Sequence, residues 1–237
     1  MYTKNHVALR DATVAPTKSL SLTALAVVLM GLSSLANAGR PLITDDATIV
    51  DDCQLESWWQ RNRGPNEFWL VPACQVAGIE WGFGYANQTA GEPDLYELAA
   101  KTELRTLETN SWGATIGFSH GFAQGSFRGD QHLNLAVTHS FADDAWLLHS
   151  NLGYANNRDA GNEVTAGIAL EREVIANHWA FAEVFRKEAG RPFYQLGYRF
   201  EPKAERLQLD INYGNRLSSS ANEYWLSAGF VFYFSAF

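Results

Sequence analysis

The sequence predicts an all-β chain, a transmembrane antiparallel up-and-down barrel of about twelve strands, within a range of 8–12. Three observations carry this. Apolar and polar residues alternate with a period of two along most of the chain, as in Leu207, Leu209, Ile211 and Tyr213 against Gln208, Asp210, Asn212 and Gly214. The segments are about ten residues long, which suits a tilted strand crossing a bilayer better than an ordinary globular strand. Their apolar faces also end in Trp and Tyr, the side chains that favour membrane interfaces.

The first 38 residues stand apart from that pattern. Lys4, Arg10 and Lys18 precede an apolar stretch from Leu20 to Leu35, and Ala36-Asn37-Ala38 supplies small residues where a signal peptidase reads. This predicts a secretory signal peptide, 1–38, cut before Gly39. Its removal takes away three basic residues and Asp11, so a net charge of −8 becomes −10. An acidic chain argues against nucleic acid as a partner. Residues 39–53 read as an acidic periplasmic leader without periodicity, and 54–237 as the barrel.

The barrel segments follow in order. The first two, 54–61 and 67–75, flank the loop Asn62–Asn66, and Pro72 interrupts the second. In 78–88, Ile79, Trp81, Phe83 and Tyr85 alternate with Glu80, Gly82 and Gly84. Segment 95–107 sets Glu97, Lys101, Glu103 and Arg105 on one face; in 111–120, Trp112, Ala114, Ile116 and Phe118 alternate with Gly113, Thr115 and Gly117. Segments 130–141 and 144–156 carry His132 and His149, and 163–173 carries Gly167, Glu171 and Glu173. Segment 177–187 follows. In 192–201, Tyr194, Leu196, Tyr198 and Phe200 oppose Gln195, Gly197 and Arg199; 205–215 is the strand described first. The last, 223–234, lines up Tyr224, Leu226, Ala228, Phe230, Phe232 and Phe234, and the chain ends in Phe237.

Links after odd segments are Gly-, Asn- and Ser-rich, as at 89–94, 121–129 and 217–222, whereas those after even segments are short, as at Ala77, 108–111 and Ala142-Asp143. Long loops outside and short turns in the periplasm are the habit of outer-membrane barrels. The aromatic C-terminal strand resembles their insertion signal, which implies the barrel-assembly machinery and outer-membrane lipid as partners.

If apolar faces meet lipid, the polar faces line a lumen. The candidates for a substrate path are Glu97, Lys101, Glu103, Arg105, Glu171, Arg199 and Asp210, and the loop residues Phe122, Phe127 and Arg128 would form the outer mouth. Cys53 and Cys74 are centred on the first loop, so a symmetric hairpin sets them opposite one another at the periplasmic end. Opposed strand residues lie within disulfide reach and an exported chain meets an oxidising compartment, which predicts a bond. No metal-ligand spacing, nucleophile elbow or phosphate loop is present, so the sequence predicts no metal, no cofactor and no enzyme. His stands directly beside Ser in Ser119-His120, His139-Ser140 and His149-Ser150, hence on opposite faces of one strand; only cross-strand pairs could serve hydrolysis.

The run Gly39-Arg40-Pro41-Leu42-Ile43-Thr44-Asp45-Asp46-Ala47, then Cys53-Gln54-Leu55-Glu56-Ser57-Trp58, resembles the start of the MetA-pathway of phenol degradation family, as does Glu67 to Cys74. That resemblance implies an outer-membrane barrel that transports small, aromatic or hydrophobic molecules. The function expected is therefore a channel or transporter for small molecules. A structural or plugged barrel is the alternative, and an outer-membrane lipid-modifying enzyme a third reading.

Overall fold

The structure, a computed structural model, describes residues 40–158, 161–204, 206–217 and 223–235. The signal peptide expected over 1–38 and the terminal Phe237 lie outside the described residues. Among those described, the chain forms twelve strands: β1 (Cys53–Asn62), β2 (Glu67–Val76), β3 (Ile79–Gln88), β4 (Leu95–Arg105), β5 (Trp112–Ala123), β6 (Asp130–Phe141), β7 (Trp146–Asn157), β8 (Gly161–Ile175), β9 (His178–Arg186), β10 (Phe193–Lys203), β11 (Leu207–Arg216) and β12 (Trp225–Phe234).

Each strand pairs antiparallel with its neighbours in sequence, and β1 pairs with β12 to close the barrel. Closure runs from Cys53 opposite Phe234 to Asn62 opposite Trp225, so the aromatic last strand has no free edge. The fold is the twelve-stranded up-and-down barrel that the period of two predicts. One of the two shortest links, Ala77-Gly78, has positive φ at both residues (55° and 80°), the geometry of a two-residue hairpin that follows strand twist. The predicted contrast in link length is only partial. A register shift between Glu103 and Arg105 ends β4 early, so the link to β5 covers six residues, 106–111.

The wall is apolar outside and polar inside. Leu152 and Ile168, 59% and 52% exposed, face outward, whereas Glu171 and Arg199 face inward at 0%. His149, Thr138, Gln195 and Gln208 are likewise buried inside. A water-soluble sandwich would bury the apolar face, so this arrangement suits lipid outside and a filled polar interior.

One sector departs from the apolar-out rule. In β9, Trp179, Phe181 and Phe185 point inward, and Phe185 meets Phe193 and Trp225 at centroid distances of 5.6 and 6.1 Å. Glycines on neighbouring strands make room. A Cβ on Gly214 would sit 2.0 Å from the Trp225 indole, and one on Gly197 would sit 2.2 Å from the Phe181 ring.

Candidate functional site: a lumen occupied by the leader

Residues 40–50 run inside the barrel, and Asp51 and Asp52 are exposed at its end, which corrects the expectation of a wholly periplasmic leader. The physical reason lies in their backbone. An extended segment without a sheet partner still needs partners for its N–H and C=O groups, and the polar lumen supplies them. Arg40 pairs with Asp210 (2.8 Å), donates to Ser227 Oγ (3.1 Å) and stacks on Trp58 (4.2 Å). Gln195 Nε2 donates to the Pro41 carbonyl (2.7 Å). The amides of Ile43 and Thr44 donate to the two carboxylate oxygens of Glu183, at 2.9 and 2.8 Å. Asn151 both accepts from the Asp45 amide and donates to the Asp45 carbonyl, each at 2.7 Å. The Ala47 amide donates to Thr138 Oγ1 (3.0 Å) and that of Val50 to Glu80 (2.7 Å). The wall residues come from β1, β3, β6, β7, β9, β10, β11 and β12, so the leader is tied around most of the barrel.

Lys101 is the centre of the charge pattern. Its Nζ lies 2.7 Å from both Asp45 Oδ1 and Asp46 Oδ1. Thr115 Oγ1 fixes the carbonyl of Asp46 at 2.9 Å. Beside the leader remains a cavity of about 490 Å³, bordered by Glu56, Glu80, Glu97, Lys101, Ser119 and His132.

The predicted site residues divide into three groups. Glu97 and Lys101 border this cavity. Glu171 and Arg199 form a fully buried ion pair (3.0 Å); Arg199 also meets Glu201 (3.3 Å) and lies over Trp179 (4.8 Å). Asp210 is held by Arg40. The third group lies at the lower end of β4. Glu103 accepts from Thr106 there (2.9 Å). Arg105 is not in the lumen. The register shift after Glu103 turns it outward, where it stacks on the exposed Trp112 ring at 4.3 Å and donates to the Trp112 carbonyl. Phe122 and Phe127 do not rim the mouth either; their rings lie 4.9 Å apart on the outer wall. Glu183 was missed by sequence reasoning because Trp179, Phe181 and Phe185 share its face and suggest the lipid side.

Cys53 and Cys74 are Cα partners in the β1–β2 register and are joined by a disulfide. A cross-strand Ser–His pair does occur in the lumen, Ser119 opposite His132. However, His132 Nε2 lies 2.8 Å from Thr165 Oγ1, and Glu97 hydrogen-bonds Ser119, so serine, base and acid are not in relay order. Among the described residues no group of three or more His, Cys, Asp or Glu side chains is placed to hold a metal.

The family profile described as "Uncharacterised conserved protein UCP029691" matches residues 24–234, most of the chain. The chain belongs to that family. The UCP029691 match overturns the resemblance to the MetA-pathway of phenol degradation family. That resemblance rested on the leader and the first hairpin, whereas the profile spans all twelve strands. The expectation of an aromatic cargo came from the resemblance and loses its support with it. No curated protein matches this UCP029691 chain in sequence. Among solved structures, it resembles the KdgM porin, with a TM-score of 0.61 at 11% identity, covering 76% of this chain and 99% of that one. A second structure, "KdgM porin in complex with disordered oligogalacturonate", gives the same TM-score and coverage at 9% identity. At these identities the likeness establishes the barrel fold alone.

Proposed function

We propose that the protein is an outer-membrane channel for small hydrophilic molecules, narrowed by its own N-terminal segment. The observation that carries this is the cavity of about 490 Å³ left between the leader and the polar wall of a closed, externally apolar barrel. Export by the signal peptide and insertion through the aromatic β12 bring the chain to that membrane. Cleavage before Gly39 leaves only one residue ahead of Arg40.

In this reading Glu97 and Lys101 border the path, together with Glu56 and Glu80. Glu171 and Arg199 stiffen the far wall, and Asp210 anchors the leader. The carboxylates of Asp45, Asp46, Glu56, Glu80 and Glu97 outnumber the cations of Arg40 and Lys101 around the cavity. Charged side chains lining a pore set its ion selectivity, so cations and neutral polyols pass more readily than anions. The KdgM porin has been captured with oligogalacturonate, an acidic sugar; the wall here favours the opposite charge.

The test is single-channel recording of the purified chain in planar bilayers under a salt gradient. Small, cation-selective steps are expected. A flat current from folded protein favours the second reading, a plugged structural barrel, which the many leader contacts support. Turnover of labelled phospholipid by the same preparation would overturn the non-enzymatic reading.

A further inference from the structure

We propose that the outer wall between β3 and β6 holds a specific lipid, a phosphorylated, acylated glycolipid of the leaflet on the loop side. This rests on the membrane reading above. The wall has a notch there. Trp81, Ala100, Phe118 and Leu133 form one row of directly paired outward residues, and Ala100 is the small member between two large rings. The β5–β6 loop folds down over the notch instead of standing above the rim. Phe127, 68% exposed, packs on Phe122 (4.9 Å) and on the His120 ring (4.8 Å), and its carbonyl sits 2.9 Å from His120 Nε2. Loop and wall enclose a groove of about 730 Å³ bordered by Trp81, Leu98, Phe118, Phe127 and Arg128.

Its lower part is apolar, lined by Trp81, Leu98, Ala100 and Phe118. Its upper part is not. His120 Nδ1 is buried without a hydrogen-bond partner among the described residues. Gln131, directly opposite His120 in the register, also borders the groove. A polar group at membrane depth needs a partner, and hydrocarbon offers none. Arg128 and Arg158 are both exposed at this end, bridged by Arg158 Nη1 to the Arg128 carbonyl at 3.3 Å; Asp130 accepts from the Arg158 amide. The Arg128 guanidinium at the edge of an apolar slot, with Arg158 beside it, matches a phosphorylated headgroup above its chains. The loop side is the outer leaflet in an even-stranded barrel whose termini are periplasmic, which selects the glycolipid as the occupant.

The full chain is folded in detergent, and folding is confirmed by heat-modifiable gel mobility. Native mass spectrometry then measures binding of a bisphosphorylated, multiply acylated glucosamine lipid, its dephosphorylated form, and phosphatidylethanolamine. The phosphorylated glycolipid is expected to bind about tenfold more tightly than either, the scale of one charge-assisted contact. Ala100→Phe, which fills the notch, abolishes tight binding of all three. Arg128→Glu removes the preference for phosphate and leaves acyl binding. Leu209→Phe on the opposite wall changes neither. Equal binding of the three lipids, or binding unaffected by Ala100→Phe, overturns the proposal, as does a preference for phosphatidylethanolamine. A chain that fails to insert into vesicles in flotation overturns the membrane reading as well, so the two failures are distinguishable.

Discussion

Lys101 on β4 and Asp46 in the leader meet at 2.7 Å inside the barrel, with Asp45 at the same distance on the other side of the ammonium group. The contact joins a wall strand to a segment that precedes the first strand. Asp46 is almost fully enclosed and Lys101 nearly so, so neither charge is well solvated without the other. Lys101→Met therefore strands two adjacent carboxylates and weakens the leader's hold by about 2 kcal/mol, less than for a fully buried broken pair because the Asp45 carboxylate is a third exposed to water. The released population rises roughly thirtyfold on that figure. Planar-bilayer recordings should show more frequent or larger openings than in the unaltered chain, with the barrel still heat-modifiable on gels. Unchanged conductance would mean that the leader does not control the path.

A second contact tests the same hold through shape instead of charge. A Cβ on Gly167 would lie 2.5 Å from Thr44 Oγ1 and 3.3 Å from Thr44 Cβ. Gly167→Ala should push this stretch of leader off the β8 wall at a cost of about 1 kcal/mol, in the range for modest overpacking. Protease accessibility of residues 40–50 in the folded protein rises accordingly. Adding Thr44→Gly should restore protection. If the single variant is as protected as the parent, the leader does not rest on Gly167 in solution.

The barrel was legible because its signal is repeated twelve times, and each strand's period of two is independent evidence. Leu207 to Tyr213 and Tyr224 to Phe234 fall on the outside as the alternation predicts. What failed did so where one rule was applied beyond its reach. Arg105 shares the phase of Lys101 and Glu103 in sequence, but a register shift reverses it. Phe185 and Trp179 look lipid-facing by type, yet inward glycines on β10 and β11 give such rings space. The leader has no period at all, and its partners are scattered from Trp58 to Ser227. Nothing local in residues 40–50 could announce that they fill a lumen assembled from strands far along the chain.

The disulfide allows a prediction that does not depend on transport. Cys53 and Cys74 are separated by 21 residues and close the hairpin at the end where the leader enters β1. Removing a cross-link over a loop of this size costs about 3 kcal/mol when the loss is taken as loop-closure entropy. The double variant Cys53→Ala/Cys74→Ala should unfold at lower urea, measured by tryptophan fluorescence in detergent, by an amount matching that cost. Its conductance should stay close to that of the parent, because neither residue borders the cavity. A midpoint unmoved by the double substitution would show that barrel closure, not the bond, fixes the hairpin.

The Glu171–Arg199 pair separates wall stability from the path. Both side chains are fully enclosed, and the guanidinium also reaches Glu201 and the Trp179 ring. Arg199→Met leaves the Glu171 carboxylate enclosed without its cation, which should cost about 3 to 5 kcal/mol. Adding Glu171→Gln removes that charge. The double variant should recover more than half of the loss, since a neutral pair of similar volume is often tolerated. Urea unfolding of the two variants in detergent, followed by total tryptophan fluorescence, measures the recovery as a shift in midpoint. If Arg199→Met and the double variant are equally destabilised, the loss comes from the contacts of Arg199 with Glu201 and Trp179 and not from a stranded Glu171 carboxylate.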